Sequence, residues 1–314
     1  MIYIGIDVGG TGIKAGVVDE NGTILYKDSC PTSAERGYGA VIRDMAKLSL
    51  RVLENSGHTL DEIASVGIGL PGVLDPRTMR VPFCTNLGWH DVPVIEEMHH
   101  YIDKPVVVDN DATVAGLAES VVGISAGLKC SVFVTLGTGV GGGVIMDGKV
   151  YSGSHGVASE IGHMVTVAGG EPCTCGQRGC WERYASATAL IREARKICAA
   201  NPKSAIWKIA DGDLKAINAR MVIDLAKQGD PDCVGLFNDY VYRLCVGLRN
   251  IINLYDPEVI VLGGGVSHAG EFLLNAVRQL LPGMVFYKDM PFARVELAKL
   301  TNDAGIIGAA MLGR

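Results

Sequence analysis

Apolar residues fill positions 2–6 and 15–18, with VGGTG at 8–12 between them, and Glu20, Asn21 and Gly22 separate the second run from a third at 23–26. Asn-Gly between apolar runs is a hairpin signal, so this pattern predicts consecutive antiparallel strands. The spacing then changes. Val41, Met45, Leu48 and Val52 recur at intervals of three and four, predicting a helix over roughly 38–55. Residues 63–70 read as a strand ending in Pro71 and Gly72, residues 105–108 as a strand ending at Asp109, Asn110 and Asp111, and residues 112–122 as a helix.

From residue 131 the opening arrangement returns as SVFVTL, GTGVGGG and VIMDGKV: strand, Gly turn, strand. Thr135 lies 128 residues after Asp7, and the same offset sets Gly137 on Gly9, Ile145 on Val17 and Asp147 on Asp19. Two such units suggest two similar halves, with a ligand held between their turns. A turn-rich, Cys-bearing stretch continues to 180, and mainly helices are expected over 187–255. A strand at 259–262 follows, then Gly263, Gly264 and Gly265, a helix from Glu271, and an Ala/Gly-rich helix from Asp303.

A chain of 314 residues exceeds the usual size of one core, so two compact domains are expected. The net charge of −6, spread along the sequence, provides no basic surface for nucleic acid. There is no basic leader segment and no apolar run long enough to span a bilayer, so the expectation is a cytoplasmic protein without a membrane partner. Nine cysteines, an odd number, argue for a reducing compartment over a disulfide framework. Six of them (Cys30, Cys84, Cys130, Cys198, Cys233 and Cys245) read as small core residues.

GTGVGG at 137–142 matches the dinucleotide pattern, but a strand follows it where a Rossmann turn must open a helix. What remains is three Gly turns at strand ends: Gly9-Gly10-Thr11, Gly137-Thr138-Gly139 and Gly263-Gly264-Gly265. Each could be a tight hairpin. Three in one chain favour phosphate binding through exposed N–H groups and Thr hydroxyls, with Asp7 able to hold Mg²⁺ against the phosphates. Asp111 could orient and deprotonate a hydroxyl attacking a γ-phosphoryl group; the other reading is an N-cap for the helix that follows, which Asp111 or Asn110 would serve. Cys173, Cys175 and Cys180 with His163 form a complete Cys₃His set that fits a structural zinc, and free thiols or a redox group are the other reading. Glu160 and Glu182 bracket this element and are either ligands for a polyhydroxylated molecule or a solvated pair.

Together these motifs resemble the ROK family of repressors, open reading frames and kinases. DVGGTGIK at 7–14 and TLGTGVGGG at 135–143 are similar to its two phosphate motifs, and EIGH at 160–163 with CTCGQRGCWE at 173–182 to its zinc and sugar signature. The chain departs from the common pattern with NDATVAG for NDANAA and ASEIGH for GGEIGH. The resemblance implies an α/β, actin/hexokinase-like duplicated ATPase (ribonuclease H-like) fold with two lobes and an interlobe cleft. Residues 1–115 plus 302–314 would form the small lobe, and 116–301 the large lobe with a zinc element at 163–180.

It further implies ATP, Mg²⁺ and structural Zn²⁺ as cofactors, with Asp7, Gly9, Gly10, Thr11, Lys14, Thr135, Gly137, Thr138, Gly139 and Gly263 to Gly265 around the nucleotide. Asp111 would be the catalytic base; Asn110, Glu160, His163 and Glu182 would contact sugar hydroxyls, and His163 would also bind zinc. GLPG at 69–72 would give Gly72 to the pocket edge. NLGW at 86–89, including Asn86, is similar to a stretch in members that phosphorylate glucose, which points to transfer to a hexose 6-hydroxyl. N-acetylglucosamine, N-acetylmannosamine, allose or fructose are the alternatives. A homodimer, or a dimer of dimers, is implied as well. Repressor members carry a helix-turn-helix ahead of the sugar domain, and with Asp7 six residues after Met1 none is expected here.

Overall fold

The computed structural model describes Met1–Arg314. Strand β1 (Ile2–Val8) runs antiparallel to β2 (Gly12–Asp19), and β2 antiparallel to β3 (Ile24–Pro31). Helix α1 (Tyr38–Asn55) buries Val41, Met45, Leu48 and Val52 on one face, as its spacing predicts. Next come β4 (Ile63–Leu70), the hairpin β5 (Val81–Cys84) and β6 (Trp89–Val92), α2 (Val94–His99), β7 (Val106–Asn110) and α3 (Asp111–Val121). The first sheet has the order β3-β2-β1-β4-β7, with β4 parallel to both β1 and β7.

The second half repeats the plan with β8 (Cys130–Leu136), β9 (Val140–Met146) and β10 (Lys149–Val150). The helices α4 (Glu182–Ala185), α5 (Ala187–Ala200), α6 (Ala205–Ile209), α7 (Ala219–Lys227) and α8 (Pro231–Tyr255) follow, then β11 (Val259–Gly263), α9 (Glu271–Leu280), β12 (Arg294–Leu297) and α10 (Ala304–Met311). Its sheet order is β10-β9-β8-β11-β12. Position by position this matches the first sheet, and β8 and β9 start 128 residues after β1 and β2. The duplication read from two short hairpins therefore extends through five strands.

By contacts the chain forms two compact units, one of Met1–Phe133, Gly143–Ser159 and Lys299–Arg314, the other of Val134–Gly142 and Glu160–Ala298. The expected boundaries at 115/116 and 301/302 fall elsewhere for a packing reason. Helix α3 is continuous through Val121, and a methyl on Gly116 would lie 2.9 Å from Phe133 Cβ, so its second half belongs with the first unit. The core of that unit includes Ile4, Ile6, Ile42, Met45 and Ile68, all fully buried. Helix α10 closes it from the C-terminal end. Gly5 and Gly67 take the backbones of Ile306 and Ala309 in direct contact, and Gly308 does the same with Val114 of α3, so the Ala/Gly-rich composition of α10 reflects backbone-to-backbone packing.

In the second unit, Asp230 caps α8 by accepting the N–H of Cys233 at 3.0 Å, with Pro231 in the first turn. Phe237 of α8 stacks on Phe272 of α9 with centroids 4.4 Å apart. Of the six scattered cysteines, Cys84, Cys198, Cys233 and Cys245 are buried as expected, whereas Cys30 and Cys130 are partly exposed. No helix is long and apolar enough to cross a membrane.

Candidate active site and metal centre

The sequence candidates fall into two groups, one in each unit. In the first unit, β1 delivers Asp7 to the turn at Gly9, where the Gly9 N–H donates to Gly12 O at 2.9 Å. The hydroxyl of Thr32 fixes the turn by donating to Gly9 O at 2.6 Å, leaving Gly10 and Thr11 exposed. Asp7 lies opposite Lys14 in the β1/β2 register, with Lys14 Nζ 3.6 Å from Asp7 Oδ2. Burial pushes the Asp7 carboxyl above its ordinary range, and Lys14 pulls it partly back. A buried carboxylate with only partial compensation suits a second cation, so Asp7 fits the Mg²⁺ role.

At the C-terminal end of β7, Asn110 is the N-cap of α3: its Oδ1 accepts the Ala112 N–H at 2.9 Å, while its Nδ2 donates to Gly72 O at 3.4 Å. Asp111 opens the helix with an exposed side chain, and its Oδ1 also accepts the Ala112 N–H, at 2.7 Å. The cap reading is therefore true of Asn110 without removing Asp111 from chemistry. Burial raises the neighbouring Asp109, opposed by bonds from the Asn110 N–H and from Ser152. The turn Thr85–Leu87 brings Asn86 against Gly10, where an added Cβ would lie 3.7 Å from Asn86 O. Gly10, Gly72, Asn86, Asn110 and Asp111 thus belong to one linked region.

In the second unit, the Gly137 N–H donates to Gly139 O at 3.0 Å, making a turn with Thr138 exposed. Thr188 at the start of α5 donates its hydroxyl to Thr138 O at 2.7 Å, a support that nothing near residue 138 in the sequence announces. Gly264 has φ +83, and a Cβ there would lie 2.7 Å from both Leu136 N and Thr135 Oγ1, so the third turn sits on the end of β8 beside the second.

His163, Cys173, Cys175 and Cys180 place their donor atoms within 4.8 Å of one another. Cys175 Sγ and Cys180 Sγ are 3.6 Å apart, and Cys173 Sγ is 3.7 Å from His163 Nδ1. Ligands at the corners of a zinc tetrahedron stand about 3.8 Å apart, so the four atoms fit one ion. Gly176 and Gly179 take φ of +89 and +86 in the knuckle that carries the thiols. Burial and the neighbouring thiols push Cys180 up to about 12, while the Gln177 N–H lowers Cys175. A cation would be needed to hold all three as thiolates.

The other ring nitrogen of His163 faces Glu160: Nε2 is 3.9 Å from Glu160 Oε2. Cys173 Sγ donates to Glu182 Oε1 at 3.2 Å. Trp181, fully buried against Gly247, anchors the element through Nε1 to Arg243 O at 3.0 Å. Gly305 was absent from the candidates: a Cβ there would lie 2.5 Å from Asp7 Cγ, so α10 contributes a glycine to the Asp7 environment.

Two five-stranded sheets of matching order, each with a Gly turn after its first strand, define an actin/hexokinase-like duplicated ATPase fold. Within that class the chain belongs to the ROK family, whose model it matches over residues 3–314. It is 38% identical over 318 residues to a glucokinase of Streptomyces coelicolor, covering 100% of this chain and 98% of that one. The structure of a ROK family glucokinase from Streptomyces griseus in complex with glucose and AMPPNP aligns at TM-score 0.83, with 36% identity and 99% of each chain covered. A ROK hexokinase from Thermus thermophilus aligns at TM-score 0.86, with 31% identity over 100% of this chain and 97% of that one.

Proposed function

We propose that this chain is an ATP-dependent hexose kinase that converts glucose to glucose 6-phosphate. The observation carrying the reading is the placement of Asp111, the first residue of α3 at the C-terminal end of β7, with an exposed carboxylate beside Asn110. Asp111 takes the proton of the sugar 6-hydroxyl as that oxygen attacks the γ-phosphorus in line, and the bond to the β,γ-bridging oxygen breaks. The Gly turn at 9–11 in the first unit, and the turn at 137–139 with Gly263 to Gly265 beside it in the second, carry the N–H groups suited to transition-state charge on phosphoryl oxygens. Asp7 and Lys14 serve the phosphate end, Asp7 holding Mg²⁺, which supplies charge neutralisation.

The sugar-hydroxyl ligands are Asn110 in the first unit, with Gly72 and Asn86 near it, and Glu160, His163 and Glu182 in the second. His163, Cys173, Cys175 and Cys180 hold Zn²⁺, which supplies rigidity to the loop that presents Glu160 and Glu182. Relatives that act on glucose support this substrate over N-acetylated or other hexoses.

The test is ADP release with Mg-ATP and glucose, N-acetylglucosamine, N-acetylmannosamine, allose, mannose or fructose, with Asp111→Ala as control. Glucose-dependent release lost in the variant is expected. Preference for another sugar corrects the substrate, and no sugar-dependent release replaces the kinase with a sugar sensor.

A further inference from the structure

A buried sulfur ties together the hexose-facing elements of the first unit. Cys84 ends β5 with 1% of its surface exposed, and its Sγ–H donates to Pro71 O at 3.1 Å. The turn that carries Asn86, Thr85–Leu87, begins at the next residue, so Cys84 is its N-cap residue. One residue on from Pro71, the Gly72 carbonyl accepts from Asn110 Nδ2 at 3.4 Å. Gly72 also packs on the cysteine, since an added Cβ would be 3.3 Å from Cys84 Cβ. A continuous path therefore runs from Asn86 through Cys84 and the Pro71-Gly72 turn to Asn110, the residue next to Asp111.

Core filling explains the burial of Cys84 but not its bond to the Pro71 carbonyl. An apolar side chain would leave the carbonyl of Pro71 without this partner, and the turn carrying Asn86 would lose its tie to the Pro71-Gly72 turn and through it to Asn110. An unlocked turn has to be ordered each time sugar binds, a cost that falls on sugar affinity and not on the phosphoryl-transfer step.

We propose that Cys84 is a positioning residue for the hexose, locking the Asn86 turn to the Pro71-Gly72 turn and through it to Asn110. The inference rests on the hexose-kinase reading above.

Cys84→Ala and Cys84→Ser are nearly equal in volume and differ in the polar group, so their comparison separates locking from packing. The measurements are kcat, KM for glucose and for ATP, glucose affinity by calorimetry without nucleotide, and the melting temperature of each protein. For Cys84→Ala, glucose KM and Kd should rise about fivefold while kcat and the ATP KM stay within about twofold, the loss expected for one removed hydrogen bond. Cys84→Ser should bind glucose within about threefold of wild type. Unchanged glucose affinity in Cys84→Ala overturns the proposal. So does a matched loss of kcat and ATP affinity, or a serine variant as impaired as the alanine one. A wild type that binds glucose without turning it over overturns the kinase reading alone; one that does not bind glucose overturns both.

Discussion

The backbone of Gly139 lies against the carboxylate of Glu182: a Cβ at residue 139 would stand 2.6 Å from Glu182 Oε2. One residue thus belongs both to a phosphate turn and to the setting of a proposed sugar ligand. Because the obstructing atom is the end of a flexible side chain, Gly139→Ala should fold normally and displace the carboxylate. Steady-state kinetics should show a glucose KM raised about tenfold at nearly wild-type melting temperature, the cost of one charged hydrogen bond. A variant with unchanged KM would separate Glu182 from the sugar.

Asp111→Ala should lower kcat by at least about a hundredfold while glucose binding stays measurable by calorimetry, because a general base acts in the transition state. The N-cap on Asn110 remains, so α3 and the melting temperature should be preserved.

Replacing Cys175, the exposed member of the Cys₃His cluster, by Ser should remove zinc, seen as loss of metal in elemental analysis together with weaker glucose binding. Retained stoichiometric zinc would contradict the assignment.

The Asp7 carboxyl holds its proton more tightly in the folded chain than its ordinary value of 3.8, so the folded state binds more protons than the unfolded one above that pH. Stability contributed by this residue therefore falls as pH rises from 3.8 through the raised folded value, and the deficit persists at neutral pH. Asp7→Asn should melt higher than wild type at pH 7 while losing affinity for Mg-ATP. Thermal melts and ATP KM values measured together check both signs.

Gly67→Ala places a methyl on the carbonyl of Ala309, a backbone atom that cannot swing aside. A loss on the order of 3 kcal/mol in denaturant unfolding is expected. Gly57→Ala, at a position with nothing within 4 Å but φ of +77, should cost about 1 kcal/mol, and the difference measures the close packing of α10 on the sheet.

Helix α1 was legible to the residue because its amphipathic spacing is unbroken, and the Cys₃His cluster because its ligands lie close in sequence. The β5/β6 hairpin was not. Each strand buries only its first and fourth residues, Val81 with Cys84 and Trp89 with Val92, a spacing of three that mimics neither an alternating strand nor a clear helix. Strand β3 extends past Tyr26 as an edge strand whose Lys27 and Ser29 are exposed, so its pairing left no apolar trace. In the candidate site, residue types and spacing single out Asp111 and the Gly turns as candidates. The partnerships of Thr188 with Thr138, and of Gly305 with Asp7, span long stretches of chain and exist only once the fold brings them together.

The return of α10 to the first unit sets an order of completion during synthesis. The whole second unit lies between Ser159 and Lys299 apart from the short stretch Val134–Gly142, so it can be finished while the first unit still lacks the helix that covers Gly5 and Gly67. At ribosomal speed that interval lasts roughly ten to thirty seconds. The half of the protein that emerges first is the last to close, and until then its central strands are an open surface for chaperones to guard.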